Sequence, residues 1–233
     1  MEMTASYGQF CPVAMAAEIF CTRWTPLIMR ELLCGTRRFN DLRKGVPRMS
    51  PSLLSKRLKE LEQAGIVETV PRGAAGTEYR LTAAGEELRD IVMALGKWGH
   101  RWVDSQHALQ KLDPSLLMWD MRRNLDPTPI PPRRFTIRFR YPELPAGRRA
   151  YWLVVEKSDV DLCREDPGHE VDLYVETSVR IMTMVWMGLT TIRAERDAGR
   201  LHLEGDAQAA KSMQQWLGLS PFAKEQNQRS RAA

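Results

Sequence analysis

A serine and a proline, three leucines at helical spacing and a closing glycine define one helix of this chain from both ends. Ser50 is a helix N-cap residue by type, and Pro51 fits the first helical position, where its missing N–H has no intrahelical partner to lose. Leu54, Leu58 and Leu61 recur at i, i+4 and i+7, one face of a helix, and Gly65 is the stop. A helix from Pro51 to Ala64 is therefore expected. Thr25-Pro26 repeats the signature, with Thr25 as cap and Leu27, Ile28, Leu32 and Leu33 as the apolar stripe, so residues 11–33 divide into two helices. Phe39 to Lys44 is a short third helix with Phe39 and Leu42 inward, closed by Gly45 and Pro47. A strand at Ile66–Val70, a Pro-Arg-Gly-Ala-Ala-Gly turn and a strand at Thr77–Leu81 make a hairpin. Thr82 then caps a long helix running to about Leu109. Four helices, a hairpin and a helix are the order of a winged helix-turn-helix.

Charge gives that order a meaning. The chain carries a formal net charge of +5 over 233 residues. Residues 37–59 alone hold Arg37, Arg38, Arg43, Lys44, Arg48, Lys56, Arg57 and Lys59 against a single acid, Asp41. With its leucines turned inward, the helix from Pro51 presents Ser52, Ser55, Lys56 and Lys59 on the opposite face. Such a helix fits a major groove: the serine hydroxyls, with Ser50 at the N-terminus, can meet base edges or phosphates, and the lysines can neutralise phosphates. Arg48 precedes the cap, Arg37 and Arg38 open the preceding helix, and Arg72 lies in the hairpin turn where a wing would touch DNA.

The second half reads differently. Asp113-Pro114 caps a helix to about Leu125, and Asp126 to Pro132 is a stiff proline-rich connection. Phe135, Ile137 and Phe139 alternate with Arg134, Thr136, Arg138 and Arg140, a half-buried strand. Further strands are expected at 150–157, 159–164 and 170–176. A helix capped at Thr177 or Ser178 runs to Met187, a second to Asp197, then a strand at 200–204 and a last helix from Asp206 to Leu217. The fold class expected is α+β, in two domains at 9–110 and 111–223, with a polar, disordered tail at 224–233.

Several functions are set aside by what is missing. No run of about 18 apolar residues suggests a membrane span, no basic leader opens the chain, and no membrane partner is expected. Cys11, Cys21, Cys34 and Cys163 form no CxxC pair, so neither a disulfide framework nor a zinc site is expected, and a reducing cytoplasm fits. No nucleophile–base pair is in evidence, which argues against an enzyme, and no cofactor is expected.

The first hundred residues also resemble a known family. Cys11-Pro12, Arg23-Trp24, the RELL at 30–33, RRFNDLR at 37–43, the LxxLExxGIV run from Leu58 to Val67 and TEYRLTAAGEEL resemble the HxlR family of winged-helix regulators over residues 9–103. The resemblance implies a homodimer joined through the first and last helices of the module, on a roughly two-fold symmetric double-stranded operator. The wing, PRGAAGT, departs from the family by being short and poor in cations. In some members the cysteine of the Cys-Pro motif senses oxidants or electrophiles, which makes Cys11 a candidate redox residue. A small buried residue is the competing reading of it.

Residues 113–222 are similar to the sterol-carrier-protein-like fold, through VDLCREDPGHEVDLYVETSVRIMTMVWMG and then AGRLHLEGD. That implies a sheet covered by helices around an apolar tunnel. Trp152, Leu173, Met182, Val185, Trp186, Leu189 and Trp216 are its wall candidates, and a hydrophobic small molecule its effector. Met182, Met184, Trp186 and Met187 are soft enough to line such a pocket, and core packing would explain them as well. The leading expectation is a dimeric DNA-binding regulator tuned by an apolar ligand. A redox regulator acting through Cys11 is the alternative.

Overall fold

The helix from Pro51 begins as its cap dictates. In the computed structural model, which describes residues 6–73, 76–104, 109–110 and 112–225, Ser50 Oγ accepts a hydrogen bond from the Leu53 N–H at 3.2 Å and Pro51 occupies the first turn. This helix, α4 (Pro51–Gln63), buries Leu54, Leu58 and Leu61. It follows α1 (Pro12–Phe20), α2 (Thr25–Leu33) and α3 (Phe39–Gly45). The antiparallel hairpin β1 (Val67–Pro71) and β2 (Thr77–Leu81) comes next, with Val67 opposite Leu81, and then α5 (Ala83–Trp102). Ile28, Met29, Leu42 and Val92 complete one core with the α4 leucines. Thr82 Oγ1 accepts from the Gly85 N–H at 3.2 Å and donates to the Gly65 carbonyl at 2.6 Å, pinning α5 to the start of the hairpin. Gly85 is required there: a Cβ would lie 2.3 Å from the Ile66 carbonyl oxygen.

Two boundaries differ from expectation. The N-cap of α2 is Trp24, not Thr25, and Trp24 is left-handed at φ 80°. Its carbonyl accepts from the N–H groups of Leu27 and Ile28, so Thr25 and Pro26 both lie in the first turn. Holding a bulky residue in that region costs about 1–3 kcal/mol, which the surrounding core must offset. Helix α5 ends at Trp102 rather than near Leu109; residues 105–108 lie outside the described ones, as does most of the tail expected at 224–233.

The rest of the chain builds one five-stranded sheet. Asp113 Oδ1 accepts from the N–H groups of Ser115 and Leu116 and so caps α6 (Pro114–Asn124). Strands β3 (Phe135–Arg140), β4 (Ala150–Glu156), β5 (Asp159–Cys163), β6 (Leu173–Thr177) and β7 (Leu201–Gly205) lie in the order β5-β4-β3-β6-β7. Only β3 and β6 pair in parallel. Helices α7 (Val179–Trp186), α8 (Ile192–Asp197), α9 (Ala207–Lys211) and α10 (Met213–Leu217) complete the unit. The last helix expected as one piece is two, broken at Ser212, whose Oγ turns back to the Gln208 carbonyl at 2.9 Å. That local bond competes with the helix ladder. The strand expected from Glu170 begins at Leu173.

The chain divides into compact units at Met1–Gly96 and Lys97–Ala233, so the division falls inside α5 rather than at residue 110. Within the second of these units, Lys97 and Arg101 both pair with Glu225. The protein is mixed α+β with an N-terminal winged helix-turn-helix.

Candidate nucleic-acid interface

Helices α3 and α4 form the helix-turn-helix, and the burial of Leu42 and of the three α4 leucines decides which way α4 faces. Ser52, Ser55, Lys56 and Lys59 are all exposed on its opposite side. Arg57, which is only partly exposed, is paired with Glu60 at 2.5 Å and leaves that face to the two lysines. Lys56 and Lys59 have no ion-pair partner among the described residues, and neither do Arg37, Arg38 or Arg48, all exposed. Ser50 uses its hydroxyl oxygen as the cap acceptor and lies 3.2 Å from the Ser52 hydroxyl. Its first role is thus to fix the helix start. Arg43, in the last turn of α3, is exposed too and carries a cation that the candidate set left out.

The hairpin brings in residues that the sequence reading passed over. The Tyr79 N–H donates to the Arg37 carbonyl at 2.8 Å and Arg38 forms an isolated β-bridge with Glu78, so the residues just before α3 are fastened to β2. Arg72 is exposed as expected, yet its guanidinium donates to Glu78 Oε1 at 2.7 Å, and Arg80 reaches Oε2 at 3.2 Å. The hydrogen bond from Arg72 holds the Glu78 carboxyl below its ordinary value, burial opposes it, and Arg80 adds to the lowering. Glu78, itself buried, therefore sits between two cations of the wing.

Cys11 is the N-cap residue of α1, half-buried, with Pro12 at the first position and no side-chain capping bond. Among the tunnel-wall candidates, Leu173, Met182, Val185, Trp186 and Trp216 come together in the main core of the second unit. They are packed among Phe135, Phe139, Tyr151 and Met213, and the Trp216 Nε1–H donates to the Ala209 carbonyl at 2.8 Å. Two candidates do not join them. Leu189 is 36% exposed just after Gly188, and Trp152 lies on the other face of the sheet, because its neighbours Tyr151 and Leu153 take the core side. Among the described residues no helix is long and apolar enough to cross a membrane, and no cluster of three or more His, Cys, Asp or Glu could hold a metal ion.

With this geometry in place, the profile of the HxlR-like helix-turn-helix matches residues 19–107. The uncharacterized HTH-type transcriptional regulator YvaP of Bacillus subtilis is 37% identical over 100 residues, which span 42% of this chain and 93% of YvaP. The chain belongs to the HxlR-like helix-turn-helix family. A second relative, the uncharacterized HTH-type transcriptional regulator sll1512 of Synechocystis, is 33% identical over 101 residues, 42% of this chain and 75% of the relative. Among solved structures, the reduced form of the transcriptional regulator YodB from Bacillus subtilis is 32% identical, with a TM-score of 0.35, across 39% of this chain and 92% of YodB. These relatives are transcriptional regulators, not enzymes, and this HxlR-like chain is a DNA-binding regulator of the same kind.

Proposed function

We propose that the chain acts as a homodimer that sets α4 of each copy into the major groove of a roughly two-fold symmetric operator. The observation that carries the reading is the exposed set Ser52, Ser55, Lys56 and Lys59 behind a leucine face that admits no other orientation of α4. Ser52 and Ser55 would meet base edges, Lys56, Lys59, Arg48, Arg37 and Arg38 phosphates, Ser50 would fix the helix start, and Arg72 would reach the backbone from the wing. The test selects bound sites from random duplexes at defined salt. A two-fold motif is expected, lost on joint Lys56→Ala and Lys59→Ala replacement, with the salt slope falling by about 0.9 for each phosphate contact removed. Motif-free binding with an unchanged slope would end the reading.

The finer part of the proposal is that an apolar small molecule in a sterol-carrier-protein-like second domain tunes DNA affinity. Its support is a sheet with one apolar face under helices and a core in which Met118, Met121, Met182 and Met213 are all buried, side chains able to repack around a guest. Leu173, Met182, Val185, Trp186 and Trp216 are its wall, with the partly exposed Leu189 at its edge; Trp152, on the far face of the sheet, falls outside it. A ligand shifts the operator equilibrium only by its preference between the two states. Titration with cis-parinaric acid, read by its fluorescence and by operator affinity, tests this; absence of both signals would remove it.

A second reading rests on Cys11. Its thiol is free, stands half-buried at the N-terminus of α1 and makes no capping bond there, so an oxidant can reach it. If the chain is a redox regulator, diamide alters operator binding and Cys11→Ser abolishes the response.

A further inference from the structure

The sheet of the second unit has a second face that the core does not use. Strand alternation sends Phe135, Ile137 and Phe139 of β3, Tyr151, Leu153 and Val155 of β4 and Leu173 and Val175 of β6 to the core. The residues between them share the other side. Register aligns Trp152 with Arg138, Arg138 with Tyr174 and Tyr174 with Glu204, a row across four strands; Arg140, Glu176 and His202 form the next row. A recess of about 730 Å³ opens over these rows, lined in part by Arg138, Arg140, Arg149, Tyr174, His202 and Glu204.

The charges in this recess are not all matched. Arg140 is held by Glu176 at 2.5 Å. The Arg138 guanidinium instead lies 5.4 Å from the Trp152 ring centre and 6.0 Å from that of Tyr174, sandwiched between two aromatic faces. It has no ion-pair partner among the described residues, and its Nε–H is buried without an acceptor. The Trp152 indole beside it is only 7% exposed, and its Nε1–H is likewise buried without an acceptor. Native folds rarely leave two adjacent donors so. Arg149, on the rim, commits its Nε–H to the Leu144 carbonyl at 3.0 Å and keeps its terminal N–H groups. Tyr174 is 41% exposed and offers a ring for stacking.

We propose that this outer face binds a planar organic anion, its single carboxylate on Arg138 and Arg149 and its ring on Tyr174. Glu176 and Glu204 in the same recess repel polyanions, which separates this ligand from nucleic acid and polyphosphates. The polar lining separates it from a lipid in the core on the other face. The inference stands apart from the operator-binding reading, since its measurement needs no DNA.

The test is calorimetric titration of the full chain with 2-naphthoate, beside the neutral 2-naphthylmethanol. Saturable naphthoate binding is expected, at least tenfold weaker for the alcohol, for Arg138→Gln and for Tyr174→Ala. Tyr174→Ala alters an exposed ring and keeps the test valid should Arg138→Gln fail to fold. Trp186→Leu, on the core side, is expected to leave the affinity within twofold. No saturable binding at millimolar naphthoate, equal binding of the alcohol, or unchanged binding by Tyr174→Ala would overturn the proposal.

Discussion

Glu78 and its two arginines set the electrostatics of the wing. In the free protein the carboxylate engages Arg72 and Arg80, so a phosphate must compete with Glu78 for either cation. Glu78→Gln keeps the shape and removes the competitor. Operator and non-specific affinity are both expected to rise, with a salt slope steeper by about one, measured by titration across ionic strengths; a fall in affinity would mean that Glu78 aims Arg72 at the DNA instead. The same pairing sets a pH dependence. The folded carboxyl lies below its ordinary value of 4.5, chiefly through the Arg72 hydrogen bond, so its contribution to stability is present above that value. It is lost as pH falls through the lower folded value. Thermal unfolding between pH 6 and pH 3 is expected to show a shallower acid loss for Glu78→Gln than for the parent chain. Nothing in the local sequence announced this triad. Five residues, the hairpin turn among them, separate Arg72 from Glu78, and only the register that sets Pro71 opposite Thr77 brings them together.

At the scale of elements, what was legible was what is decided locally. Ser50, Asp113 and Ser178 cap helices where their types said they would, because a cap needs only the next three residues. Ser50→Ala is expected to cost about 1 kcal/mol. In a unit of about a hundred residues that lowers Tm by roughly 4–8 °C, and it weakens operator binding by fraying the first turn of α4. Calorimetry and an operator titration check the two effects separately, and an unchanged Tm would mean that Pro51 alone fixes the start. Three features were not legible. Trp24 caps α2 from a left-handed conformation that the general preference of bulky side chains argues against. Ser212 splits the last helix by a side-chain bond that competes with the ladder inside a run of good helix formers. The face taken by Trp152 was hidden because AYWLVVE is apolar at both parities, so alternation carries no direction until β4 pairs with β3.

For the whole molecule, the open question is what covers its exposed apolar helices. Helix α1 has nine residues and buries none of them; Val13 is 76% exposed, and Phe10, just before it, 98%. A helix so short is marginal in water without packing. Helix α5 exposes Ile91, Leu95, Trp98 and Trp102, a stripe at i, i+4, i+7 and i+11. Scattered apolar residues are ordinary on a surface, whereas stripes of large ones mark an interface. The occupant that fits without a further protein is a second copy, since a two-fold axis lets the same surfaces cover each other and matches a two-fold operator. A stable contact of this kind buries on the order of 1,200–2,000 Å² in total. Sedimentation at micromolar concentration is expected to show a dimer, and Leu95→Glu with Trp98→Glu to shift it to monomer while leaving the core residues of both units untouched. Operator affinity should then fall much further than affinity for a single half-site, because the two α4 helices no longer bind as one body. If the double variant stays dimeric, the contact lies elsewhere on the chain. If it becomes monomeric with operator affinity intact, one copy reads the site alone and the symmetric operator must be given up.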